Sequence, residues 1–163
     1  TSGFTLVEIL VVVAIVAVIA TIGIPNLIRS RTTANESIVV SNLRTLANGL
    51  TMYRSVNNAY PTNWLDDMYT NADPDFGPGG FQVDLQAAPL TVRGYRYQYG
   101  IPAVPPPAFT FAIVASPTTL NLTGTRTFWT DQTGEIYHCL GDAPVTAVPN
   151  GVRTVQAPPD PCP

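Results

Sequence analysis

Phe4-Thr5-Leu6-Val7-Glu8-Ile9-Leu10-Val11-Val12-Val13-Ala14-Ile15-Val16-Ala17-Val18-Ile19-Ala20-Thr21-Ile22-Gly23-Ile24 is an apolar run broken by a single charge, Glu8. As a helix rising about 1.5 Å per residue it spans roughly 31 Å, the thickness of a bilayer's hydrocarbon core. An ionised side chain inside such a segment costs about 2.5–3.5 kcal/mol on insertion scales. Nothing else in the run can neutralise it, so the carboxylate calls for a partner outside its own helix. Three readings compete. A secretory signal peptide has an apolar core of about 7–15 residues and a small-x-small cleavage site, whereas this run is longer and ends at Pro25. A single-pass anchor accounts for the length but not for Glu8. A helix that spends part of its life in lipid and part packed against copies of itself accounts for both, because a neighbouring chain then supplies the cation.

Beyond Pro25 the pattern becomes amphipathic. Val39, Leu43, Leu46, Leu50 and Tyr53 recur at spacings of four and three, widened by Val40 and Ala47, which draws one apolar stripe along a helix. Glu36, Asn42, Arg44, Thr45 and Asn48 fall on the other face. The helix is expected to end before Asn57-Asn58, with Pro61 blocking any continuation. The reading is one long helix over residues 4 to about 56, bent near Gly23–Pro25. Its half over 4–25 is apolar on all sides and suits lipid or other helices. Its half over 26–56 is one-sided and suits a domain of its own chain.

That domain is expected over residues 57–163. Residues 57–91 read as a connecting region with a short helix around Trp64 to Tyr69 and a loop at Asp73-Pro74-Asp75-Phe76-Gly77-Pro78-Gly79-Gly80. Tyr95, Tyr97 and Tyr99 alternate with Arg96 and Gln98, and Phe109, Phe111, Ile113 and Ala115 form a second alternating set. Pro102 and Pro105-Pro106-Pro107 make a stiff connection between them. Thr127–Trp129 and Glu135–His138 flank Asp131-Gln132-Thr133-Gly134, a hairpin turn. The expected fold is α+β: a long N-terminal helix whose amphipathic half packs against an antiparallel sheet of about four strands.

Gly3-Phe4-Thr5-Leu6-Val7-Glu8, followed at once by the apolar stretch and Pro25, closely resembles the N-terminal signature of type IV pilins and type II secretion pseudopilins. The Tyr-rich strand, the aromatic strand and the Asp-Gln-Thr-Gly hairpin resemble the globular domains of some of these proteins more loosely. The resemblance implies cleavage between Gly3 and Phe4 by a prepilin peptidase, N-methylation of Phe4, and residues 1–3 as a residual leader. It implies that Glu8 pairs with the N-terminal amine of an adjacent subunit, and that Pro25 marks a kink or locally melted stretch of the filament core. The expected function is that of a structural subunit of an extracellular type IV pilus-like filament. The subunit is held in the inner membrane before assembly, and its partners are copies of itself and the pilus assembly machinery. The alternative is a pseudopilin of a type II secretion system. Many pilins close a C-terminal loop with a disulfide. In an exported domain Cys139 and Cys162 suit such a bond, worth on the order of 3 kcal/mol in the chain-entropy model.

Composition narrows the remaining classes. The net charge is −3 and all eight basic residues are arginines, scattered along the chain, so there is no basic stripe for nucleic acid. Arg29 and Arg31 lie just past the apolar run, where they suit lipid headgroups or a solvated helix face equally. With no lysine, isopeptide crosslinking, Schiff-base chemistry and a phosphate-loop lysine are excluded. His138 stands beside Cys139, but adjacent strand residues point to opposite faces, so no catalytic pair and no enzyme is expected, and no cofactor. Asp66, Asp67, Asp73, Asp75 and Asp84 form an acidic set without EF-hand spacing. Asp73 and Asp75 are weak Ca²⁺ candidates, prompted by the structural calcium of some pseudopilins. The aromatic residues read as core and cross-strand pairs rather than a conducting path. Asn35-Glu36-Ser37 and Asn121-Leu122-Thr123 match the glycosylation sequon.

Overall fold

Thr5 and Glu8 start helix α1, which runs unbroken from Leu6 to Asn57 in the computed structural model, whose described residues are 3–101 and 109–141. Over these 52 residues the helix is about 78 Å long. Thr5 is the N-cap, and its hydroxyl accepts from the Glu8 backbone N–H. Asn58 ends the helix in a left-handed conformation (φ 59°), its N–H donating to the Arg54 carbonyl at 2.8 Å. The helix thus ends about one residue past the expected end before Asn57-Asn58. Pro25 lies inside the helix without ending it. Lacking an N–H, it leaves the Thr21 carbonyl without its helical donor.

The chain then folds back over the second half of α1. A turn of π-helix covers Asp66–Thr70 and a 3-10 turn covers Gly79–Phe81. Five strands follow: β1 Leu90–Val92, β2 Tyr95–Gly100, β3 Ala112–Pro117, β4 Arg126–Asp131 and β5 Ile136–Leu140. They form one antiparallel sheet in the order β1-β2-β3-β4-β5, each strand paired with its neighbour in sequence.

The sheet has five strands rather than about four, because Leu90–Val92, inside and just past the expected connecting region, pairs with Tyr95–Tyr97. Its three residues are too few to display alternation. The signal lay instead in Arg93-Gly94, both at positive φ (50° and 78°), the backbone pair that a tight two-residue hairpin requires. The second aromatic set is also corrected in part. Phe111, Ile113 and Ala115 enter the core, but Phe109 precedes β3 and is 57% exposed.

The core lies between α1 and one face of the sheet. Val39, Leu43, Leu46 and Leu50 are fully buried along the helix stripe, with Val40 and Tyr53 partly buried beside them. Tyr95, Tyr97 and Tyr99 meet them from β2, with Ile113, Ala115 and Phe128 from the next two strands. Trp64 closes the far end, its Nε1–H donating to the Phe81 carbonyl at 3.1 Å and its ring 4.9 Å from that of Tyr99. Gly49 lets the Phe76 backbone approach α1 closely, since a Cβ there would stand 2.5 Å from the Phe76 carbonyl oxygen. The middle of the outer sheet face is buried as well, with Val114, Thr127 and Trp129 on β3 and β4 almost inaccessible.

Candidate assembly site

The first half of α1 is the opposite of this core. From Leu6 to Arg31 no residue is buried, and Leu6, Val7, Leu10, Val13, Val16 and Ile19 all stand out from the molecule. The helix there is held by its own backbone and by its cap, not by packing. Among the described residues it is the one helix long and apolar enough to cross a membrane.

Glu8 is part of the cap. Its carboxylate accepts from the Thr5 backbone N–H and from the Thr5 hydroxyl, each at 2.8 Å and both through Oε2. Together with the reverse bond from the Glu8 N–H this is a capping box. Both of these bonds go to Oε2, and none among the described residues is made by Oε1. Glu8 therefore makes its bonds within its own chain through one carboxylate oxygen. Phe4, just before the cap, is 85% exposed and outside the helix. Near Pro25, the Thr21 hydroxyl donates to the Ala17 carbonyl at 2.8 Å.

The junction between the two halves of α1 is built by residues that the sequence reading placed on a polar face, Glu36 and Asn42, or in a glycosylation sequon, Asn35 and Glu36. Asn35 Nδ2 donates to the Thr123 carbonyl at 2.9 Å. Glu36 Oε1 accepts from the Thr125 backbone N–H at 2.9 Å and from its hydroxyl at 2.7 Å, while Oε2 pairs with Arg126 Nε at 3.7 Å. Higher up, Asn42 Nδ2 donates to the Tyr97 hydroxyl at 3.1 Å. The domain is fastened to the helix by these polar pins at one end and by the leucine stripe beyond. Their one sequence signal was acids and amides at helical spacing immediately after an apolar half. Burial pushes the Tyr97 phenol up to about 12, the Asn42 bond offsetting part of the rise. Burial, reinforced by the Glu36 carboxylate, raises Tyr95 further.

The remaining sequence candidates are not brought together. Glu8 and Pro25 lie along α1, while Gly3 and Phe4 precede its cap. Cys139 lies on β5, while Cys162, and with it the expected disulfide, lies outside the described residues, as do Pro102 and Pro105–Pro107. His138 is exposed on β5 and rests 6.0 Å from the Phe128 ring, on the face opposite Cys139. Asp67 caps the turn before it, accepting from the N–H groups of Thr62 and Asn63, and Asp84 caps the turn after it, accepting from those of Gln86 and Ala87. Asp75 accepts from Gln82 at 2.8 Å. Among the described residues no three metal-ligating side chains converge, so Asp73 and Asp75 form no such set.

Residues 1–24 match the model of the prokaryotic N-terminal methylation motif. The chain is 34% identical over 104 residues to type II secretion system core protein G of Vibrio cholerae, covering 60% of this chain and 69% of that protein. It is 43% identical over 61 residues to core protein G of Aeromonas hydrophila, and 43% over 62 residues to the type IV wide pilus major component PilA4 of Thermus thermophilus. These last two matches span under half of either relative, 43% and 47% of their lengths. No solved structure matches the chain.

Proposed function

The chain belongs to the family of type IV pilins and type II secretion pseudopilins, and from that premise we propose that it is a structural subunit of an extracellular type IV pilus-like filament, not an enzyme. The observation that carries this reading is the first half of α1, apolar on every side and buried on none. A surface of that size is stable in lipid or against copies of itself, and a filament subunit uses both in turn.

The proposed sequence of events follows from the residues. The precursor is held in the inner membrane by Phe4–Ile24 and cut between Gly3 and Phe4 by a prepilin peptidase, and Phe4 is methylated on its new amine. The methylation-motif match over residues 1–24 and the exposed Phe4 support this. The assembly machinery then moves the helix from lipid into the filament core. There Glu8 Oε1 accepts from the Phe4 amine of a neighbouring subunit while Oε2 keeps its Thr5 bonds. A charge in an apolar core is tolerable only beside its partner, so the pair sets the register between subunits. Pro25 supplies a weak point where the helix can adjust its path in the filament. A Cys139–Cys162 bond would pin the C-terminal segment.

A pseudopilin of a type II secretion system is the second reading. The coverage of the Vibrio cholerae core protein G favours it, as the Thermus thermophilus pilus component favours the first. Deleting the gene separates them. Loss of surface filaments by electron microscopy with secretion intact supports the pilus. Loss of secretion with filaments intact supports the pseudopilin and overturns the first reading.

A further inference from the structure

The end of the sheet nearest the apolar half of α1 is basic and carries exposed leucines, whereas the opposite end is acidic. The near end is formed by the β1–β2 turn, the β3–β4 loop, the start of β4 and the end of β5. The loop is tied to the turn by Thr118, whose N–H and hydroxyl both donate to the Gly94 carbonyl, and to α1 through Thr123 and Thr125. It presents Arg93 on the turn and Arg126 on β4, below which α1 carries Arg29 and Arg31. The acid at this end is Glu36, already occupied by Arg126 and Thr125. At the other end stand Asp66, Asp67, Asp73, Asp75, Asp131 and Glu135.

Leu120 and Leu122 are 40% and 54% exposed on the β3–β4 loop. The loop is well bonded: the N–H groups of Leu122 and Thr123 donate to the Thr119 carbonyl, and that of Asn121 to the Gly124 carbonyl. Two leucines held outward beside arginines on a braced loop contribute little to the domain's own core. The height of the loop says what they meet. Asn35, where the loop touches α1, is about 16 Å along the axis from Ile24, where the run ends, and about 10 Å from Ile28, the last apolar residue before Arg29. A headgroup layer is about 5–8 Å thick. When the apolar half of α1 fills the hydrocarbon core, the base of the domain stands at the outer edge of the headgroups, within side-chain reach.

We propose that this base, Arg93, Arg126, Leu120 and Leu122 with Arg29 and Arg31, docks on the anionic headgroups of the membrane that holds α1. The arginines meet lipid phosphates and the leucines enter the interface, the pairing of groups that interfacial protein surfaces use. The docked domain lies on the bilayer while the subunit waits, and must lift off as the helix leaves the membrane. This inference rests on the membrane-anchored stage of the proposed function.

Amide hydrogen exchange on the full chain in lipid nanodiscs tests it, comparing phosphatidylcholine alone with phosphatidylcholine containing phosphatidylglycerol. Slower exchange of residues 118–125 in the anionic discs is expected, about fivefold for each arginine engaged, with the 131–136 hairpin unchanged. Arg93→Gln should recover part of the difference, and Arg93→Gln with Leu122→Ser most of it. Equal rates in both discs, with residues 6–24 protected, would overturn the docking and leave the anchor standing. If residues 6–24 are not protected either, anchor and docking fall together. Protection of the loop confined to assembled filaments would assign this surface to a neighbouring subunit and overturn the lipid reading.

Discussion

The two halves of α1 are one continuous helix with opposite surroundings. From Leu6 to Arg31 the helix buries nothing, while from Thr32 to Asn57 it buries Val39, Leu43, Leu46 and Leu50 completely. Backbone hydrogen bonding is common to both, so helicity does not distinguish them. What differs is where each half finds a partner for its apolar surface. The second half meets a sheet from its own chain and is saturated. The first is left with a surface that only lipid or another copy can cover. The two halves therefore carry separate duties, folding and assembly, and substitutions in one should leave the other's duty intact.

The largest expected effect lies in the first half. Glu8→Ala should lower filament yield at least tenfold, while a monomer of unchanged thermal stability stays in the membrane fraction. Electron microscopy and fractionation measure this, and normal yield would break the proposed division. In the second half, Leu46→Ala should destabilise the domain by about 3 kcal/mol, read by denaturant unfolding in detergent, without releasing the protein from membranes. The matching change in the first half, Val12→Ala, should move that unfolding midpoint scarcely at all.

Alkali should act on the second half alone. Tyr97 has its phenol raised by burial from 10.0 to about 12. A folded-state value above the unfolded one means the contribution is complete below pH 10 and is lost as pH climbs towards 12. Domain stability should therefore fall over that window by roughly 2 kcal/mol from this group, and Tyr97→Phe should flatten that part of the pH profile. A smaller effect is expected at the junction. Glu36→Gln keeps an acceptor for Thr125 but weakens the Arg126 pair, and should destabilise by about 1 kcal/mol. A change far larger than that would show that the two halves are coupled more tightly than their separate surroundings imply.

Much of this division was legible in residue order because it rests on local periodicity. The stripe through Val39, Leu43, Leu46 and Leu50 announces one partner face, and the run through Ile24 announces none in particular. The Tyr95, Tyr97, Tyr99 alternation and the Asp131–Gly134 turn are likewise local. The turn is closed by the Gly134 N–H donating to the Asp131 carbonyl at 3.0 Å and by Asp131 Oδ1 accepting from the Thr133 N–H at 2.8 Å. The pins at Asn35 and Glu36 were not legible, because their partners lie 88 and 89 residues away and a polar residue on a helix face does not declare what it will bond. The burial of the outer sheet face escaped for a similar reason. Val114 and Trp129 are paired across strands, and alternation within one strand does not reveal that both faces will be covered. The continuity of α1 through Pro25 was legible, because helical periodicity resumes past the proline and the backbone around it tolerates the missing bond.

The meander β1-β2-β3-β4-β5 carries a kinetic consequence. Every strand pairs with its neighbour in sequence, so the sheet can form by successive short closures, the order of contacts that favours rapid folding. Docking on α1 through Glu36 closes a loop 89 residues long and gathers its reward last. Glu36→Gln should therefore speed unfolding and leave the folding rate almost unchanged. Stopped-flow measurement of both limbs tests this, and a slowed folding limb would place the helix in the folding nucleus. A domain ordered this way shields its own strand edges early, before neighbouring copies in a crowded membrane have time to pair with them.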